Sequence, residues 1–313
     1  VPRLSIIIPL RSHSEDFETT LVSVLENRPD DCEVIVAHDG SYEDPFELAG
    51  EVCFAVGSDC SLLNLVRAGS EIATSPIVHV LADGFQATAG WTDYVDETFA
   101  DHDVACASPL VCDMDDHELI LAAGWANHAL RLRRPIASGA TAVGRLEAAR
   151  ISGLFLAASF WKVSALRQLL KARSVATAAD FEAVCARWLK KEDYQIQIAV
   201  DSRVTTYEDA PELESVGFRT GFQLHCASPA SGVPATIGFA MLSCLTQPHR
   251  ISSWTTAAGR IAASIWGGKR RHAIDRDLKA ILSASISGTS AFEDETPQTL
   301  AFPVASEPLR RAA

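Results

Sequence analysis

Residues 4–41 read LSIIIPLRSHSEDFETTLVSVLENRPDDCEVIVAHDGS. Leu4 to Pro9 is a continuous apolar run closed by proline, the pattern of a strand buried on both faces. Ser14 stands before Glu15 and Asp16, a helix-start signature. Phe17, Thr20, Leu21, Val24 and Leu25 then follow at helical spacing and predict one stripe packed onto a sheet. Glu33 to Ala37 is a second buried strand, and it ends in His38-Asp39-Gly40-Ser41. A strand, an amphipathic helix and a second buried strand make a parallel unit.

The pattern continues outward. Val52 to Val56 is a third short apolar run, Leu62 to Ala73 a helix, and Ile77 to Leu81 a fourth strand ending in Ala82-Asp83-Gly84. Ligands of such sheets sit beyond the carboxyl ends of the strands. Two of those ends carry an aspartate before a glycine, Asp39 and Asp83. Val104 to Val111 reads as a strand. Ala122 to Gly144 reads as a long loop with a basic cluster, Arg131, Arg133 and Arg134. Gly153 to Phe160 is apolar again, and a helix begins near Ser164. Asp180 opens a further helix through Lys191, with strands at Ile196 to Val200 and Arg203 to Thr206. Beyond about Ser215 the text turns rich in Ala, Ser and Gly. There Trp254, Ala258, Ile261 and Ile265 form one helical stripe, followed by Lys269, Arg270 and Arg271.

Composition narrows the function. The 313 residues carry 27 Lys+Arg against 40 Asp+Glu, a formal charge of -13. An acidic surface repels phosphate backbones, and the 7% aromatic content is poor for base stacking, so no nucleic-acid partner is expected. The eight cysteines include no C-x-x-C pair and read as reduced, mostly buried thiols of a cytoplasmic protein. The apolar part of 220–249 is about half the length of a membrane span. G-x-G-x-x-G is missing after the first strand, against an oxidoreductase on a dinucleotide-binding sheet. H-E-x-x-H and G-x-S-x-G are also missing.

Taken in order, IIIPLRSHSEDFETTLVSVLEN, EVIVAHDGS, LVRAGSEIATSPIVHVLADG, Gly90-Trp91 and ATAADFEAVCARWLKKEDYQIQIAVDSRV resemble glycosyltransferase family 2. The resemblance covers about Leu4 to Tyr207. It implies a GT-A-like α/β fold: a mixed, mainly parallel sheet with helices on both faces, here with a helical C-terminal extension. The implied division is a transferase domain at 1–215, the extension at 216–282 and a disordered tail at 283–313. The implied reaction moves a sugar from a nucleoside diphosphate donor to a saccharide or lipid-linked acceptor, with inversion. The alternative is a catalytically inactive relative that binds a nucleotide or saccharide.

By the same resemblance, Pro9, Leu10, Arg11 and Asp39 cradle the base and ribose, and Asp180 is the general base. An aspartate at this place also suits a helix N-cap. The family's D-x-D triplet reads Ala82-Asp83-Gly84, which leaves Asp83 as a lone ligand for Mn or Mg. Its Arg-Asn pair reads Val66-Arg67, its Glu before the base reads Ala179, and its late histidine is replaced by Thr205-Thr206-Tyr207. Either Arg11 and Arg67 take over part of the charge neutralisation in a metal-independent transferase, or the domain binds sugar nucleotides poorly and no longer turns over. The stripe at 254–265 with its basic run either lies on the inner face of a membrane or packs on the catalytic domain with an exposed basic end.

Overall fold

The structure, a computed structural model, describes residues 2–12, 15–45, 47–128, 132–141, 151–207, 217–228, 232–246 and 251–287. Eight strands run across the main sheet: β1 (Leu4–Pro9), β2 (Cys32–His38), β3 (Cys53–Val56), β4 (Ile77–Leu81), β5 (Gln86–Ala87), β6 (Val104–Asp113), β10 (Ala158–Lys162) and β11 (Gln195–Thr206). Their spatial order is β3-β2-β1-β4-β10-β6-β11-β5, and β7 (Ile120–Ala122) pairs with β6 off this path. The first four strands are mutually parallel. β10 runs antiparallel to both β4 and β6, so β6 and its parallel partner β11 point the same way as β1 to β4. The apolar runs of β1 and β4 are buried along their whole length, as strands covered on both faces require.

Helix α1 (Glu15–Asn27) joins β1 to β2, and α2 (Leu62–Ile72) joins β3 to β4. The chain steps in opposite directions along the sheet at these two crossovers. Crossovers of one hand therefore put the helices on opposite faces. Gly69 lets α2 approach β1: a Cβ there would stand 2.6 Å from Ile7 Cγ2. Helices α4 (Val163–Leu170) and α5 (Ala178–Lys191) pack beside α2, and α3 (Val95–Ala100) lies on β6 and β11. Because α5 leads by a short turn into β11, its N-terminus lies at the carboxyl end of the parallel strands. Four helices complete the described chain: α6 (Phe218–Ala227), α7 (Val233–Thr246), α8 (Ile251–Trp266) and α9 (Gly268–Ser287).

Three expectations change. The loop at 122–144 contains a hairpin, β8 (Trp125–His128) with β9 (Leu132–Pro135). Charged Arg133 and Arg134 hid that strand, because its pattern is not apolar; Arg131 and Ser14 lie outside the described residues. Ile196 to Val200 and Arg203 to Thr206 are one strand whose register against β6 shifts between Ala199 and Arg203. Helix α9 continues past residue 282, where the tail was expected to begin. All eight cysteines are unpaired thiols, five of them buried.

Candidate functional site

The carboxyl ends of β1, β2 and β4 lie side by side, and the short segments after them hold most of the expected site residues. Pro9 is the last residue of β1, and Leu10 continues its ladder by donating to Ala37 O at 2.8 Å. Both are buried, so their side chains anchor the loop. Arg11 then turns to β4 and forms an ion pair with Asp83, and its second nitrogen donates to Asp83 O at 3.4 Å. The Asp83 side chain is almost fully enclosed, whereas Arg11 stays partly open to solvent.

The turn after Asp83 is held from two sides. Gly84 has φ +87°, a conformation that favours glycine. Its N–H donates to Thr20 Oγ1 of α1 at 3.1 Å, and its carbonyl accepts from Thr206 Oγ1 at the end of β11 at 2.8 Å. Thr206 thus ties β11 to the turn after β4. Asp39 is exposed at the end of β2, and its carboxylate accepts from Ser41 N at 3.1 Å and Ser41 Oγ at 2.5 Å. That is a turn-forming arrangement.

Asp180 lies at the same end of the sheet, but its carboxylate is sealed. It is the third residue of α5 and 0% exposed. The helix cap is Thr177, whose hydroxyl accepts from Asp180 N at 3.2 Å and donates to Asp180 Oδ2 at 2.9 Å. The N-cap role considered for Asp180 therefore belongs to Thr177, three residues earlier. Arg270 from α9 donates to the same Oδ2 at 2.6 Å. Oδ1 is buried with no hydrogen-bond partner among the described residues.

Glu182 is linked to the end of β4 through the backbone of Leu156 and Ala157. Its Oε1 accepts from Leu156 N at 2.8 Å, and the next residue, Ala157, accepts from Ala82 N at 2.8 Å. Its other oxygen pairs with Arg133 of β9. The Arg133 guanidinium lies between the rings of Trp125 and Phe155, 5.6 and 5.7 Å from their centroids. Burial lowers the Arg133 pKa to about 10, which leaves it a cation at neutral pH. Sequence reasoning noted Glu182 only as a neighbour of Asp180 and Arg133 only as part of a basic cluster. No local signal joins residues so far apart.

Arg67 is not with Arg11 and Asp83. It pairs with Asn64 and donates to Leu170 O of α4 at 3.3 Å. It lines a separate open groove of about 1030 Å³ with Asp59, Arg167, Lys171, Arg173 and Arg219.

The metal expectation also changes. A hard dication gathers several oxygen ligands. Asp83 is flanked by Ala82 and Gly84 and already carries Arg11 as its counter-charge. No group of three His, Cys, Asp or Glu side chains converges among the described residues. These residues therefore do not fit a resident Mn or Mg ion at Asp83.

No protein-family profile matches the chain, and no curated protein matches it in sequence. Among solved structures the chain is similar to GalNAc-T7, determined with UDP, GalNAc and Mn2+, at a TM-score of 0.56 and 11% identity. The match covers 93% of this chain and 58% of that one, so the chain spans little more than half the length of its neighbour. Likeness at this identity concerns the backbone, and it is consistent with a mixed sheet flanked by helices. The chain has a GT-A-like α/β fold with a helical C-terminal part.

Proposed function

We propose that the chain is a glycosyltransferase related to family 2. It would move a sugar from a nucleoside diphosphate donor to a saccharide or lipid-linked acceptor, with inversion. The observation that carries this reading is Arg11, a partly open cation held by Asp83 at the carboxyl end of a GT-A-like sheet, one strand from the exposed carboxylate of Asp39. In sugar transfer an acceptor hydroxyl attacks the anomeric carbon and the diphosphate leaves with its negative charge. Arg11 is placed to receive that charge through charge-assisted hydrogen bonds. Asp39 accepts hydrogen bonds from ribose hydroxyls or a ring N–H. Asp180 would supply the carboxylate that takes the acceptor proton once its pairing with Arg270 opens.

A second reading, a binding protein without turnover, is favoured by one observation: the Asp180 carboxylate is fully enclosed and paired with Arg270. Calorimetric titration with uridine, guanosine and thymidine diphosphate sugars, in manganese and in a chelator, followed by donor hydrolysis, separates the two. The transferase reading expects binding in chelator, and turnover that Asp180→Asn removes without changing affinity. Binding without turnover selects the second reading. Failure of every donor to bind rejects both.

A further inference from the structure

Helices α7 and α8 are packed inside out. Helix α7 turns Thr236, Ala240 and Cys244 inward, each 2% exposed or less, and presents Ile237, Phe239, Met241, Leu242 and Leu245 to solvent. Helix α8 buries Ala257, Gly259, Ala262 and Ala263 and exposes Ile251, Trp254, Ile265 and Trp266. Leu245 is 70% exposed, Trp266 74% and Ile251 80%. The helix contacts are built on small residues. Cβ atoms at Gly221 or Gly259 would overlap the carbonyl oxygens of Thr256 and Phe218, so α6 and α8 cross at backbone distance. A surface helix in water places its large apolar residues toward the core. Small residues at helix contacts with large apolar residues outward is the arrangement of helices whose outer face meets lipid.

Charge names the occupant. Between Glu214 and Asp275 the sequence contains no Asp or Glu, so all 40 carboxylates lie outside this stretch. The stretch carries Arg219, Arg250, Arg260, Lys269, Arg270 and Arg271; Arg260 is buried and Arg270 pairs with Asp180, while Arg219 and Lys269 are exposed. Exposed Arg219 adjoins exposed Phe218, and exposed Lys269 follows Trp266. A second copy of the chain would bring an equally cationic face against this one, so self-association is disfavoured. No described helix is long and apolar enough to cross a membrane, and α7 has only 14 residues.

We propose that the outward face of α7 and α8 docks in the plane of a bilayer surface bearing anionic headgroups. The apolar side chains would enter the headgroup boundary while the flanking Arg and Lys meet lipid phosphates and carboxylates. This surface does not depend on the reading of the crevice at Arg11.

The test uses the full chain with phosphatidylcholine vesicles, with and without phosphatidylserine. Sedimentation should show at least roughly tenfold stronger binding to the anionic vesicles, weakened by added salt. Leu245→Glu with Trp266→Glu should abolish sedimentation while the melting temperature stays at the wild-type value, since both side chains are exposed. Lys269→Glu should weaken anionic binding alone. Equal binding by wild type and the double variant, or no binding to anionic vesicles, overturns the proposal. So does a solution dimer that the double variant dissociates in the absence of vesicle binding. Nucleotide titration of the double variant should match wild type, which keeps this result separate from the transferase reading.

Discussion

Replacing Glu182 by Gln probes the most enclosed ion pair among the described residues. Both side chains of the Arg133–Glu182 pair are 5% exposed. Glutamine keeps the shape, and its amide oxygen still accepts from Leu156 N, so the backbone at the start of β10 retains its partner. What disappears is the negative charge beside a buried guanidinium. Removing one partner of a buried pair costs about 3–5 kcal/mol. The Trp125 and Phe155 faces hold the guanidinium in both proteins, so their contribution cancels from the difference. The expected loss is therefore about 3–5 kcal/mol, which lowers the melting temperature by roughly 6–20 °C at ~2–4 °C per kcal/mol. The double variant Arg133→Met, Glu182→Gln removes the uncompensated cation and should recover most of the loss. Urea unfolding of wild type, both single variants and the double variant gives the coupling directly. A Glu182→Gln protein within about 1 kcal/mol of wild type, or a coupling near zero, would refute this assignment of the pair.

Three further outcomes follow from the geometry. His79 is fully buried, stacks on Phe160 with centroids 3.9 Å apart, and meets Ser159 O at 3.1 Å; burial lowers its pKa from 6.5 to about 3. The unfolded chain then takes up the proton first. Stability is complete above about pH 6.5 and declines as pH falls from there toward 3, by up to about 1.4 kcal/mol per unit. Urea midpoints of His79→Gln should fall less steeply between pH 7 and pH 4.5, and parallel slopes would remove His79 as the cause. Gly259→Ala should destabilise by about 1–3 kcal/mol because α6 and α8 must separate. Gly238→Ala on exposed α7, where no atom lies within 4 Å of the new methyl, should instead stabilise by roughly 0.5–1 kcal/mol. Arg11→Ala should weaken nucleoside diphosphate binding roughly tenfold or more, and a chelator should leave wild-type affinity unchanged. Loss of wild-type binding in chelator would show that a cation, and not Arg11, meets the diphosphate.

The amino-acid sequence alone determined the parallel half of the sheet. Runs such as LSIIIP and IVHVL are apolar at every position, and only a strand covered on both faces uses such text. Periodicity placed α1, α2 and α5, and the aspartates after β2 and β4 marked the carboxyl end of the sheet, where ligands of open α/β sheets generally sit. These features are legible because strand and helix periods are local.

The tertiary structure decided which charges meet. Arg11 finds Asp83, Arg133 finds Glu182 and Arg270 finds Asp180 across long stretches of chain, and each pairing follows from strand order and helix packing rather than from any local pattern. The same limit hid the β8–β9 hairpin, where Arg133 becomes interior only when Trp125 and Phe155 enclose it, while Arg134 stays exposed. It also hid the outward face of α7. A nearly uniform apolar helix has no periodicity from which to read its buried side, and only its contacts show that the small residues face inward.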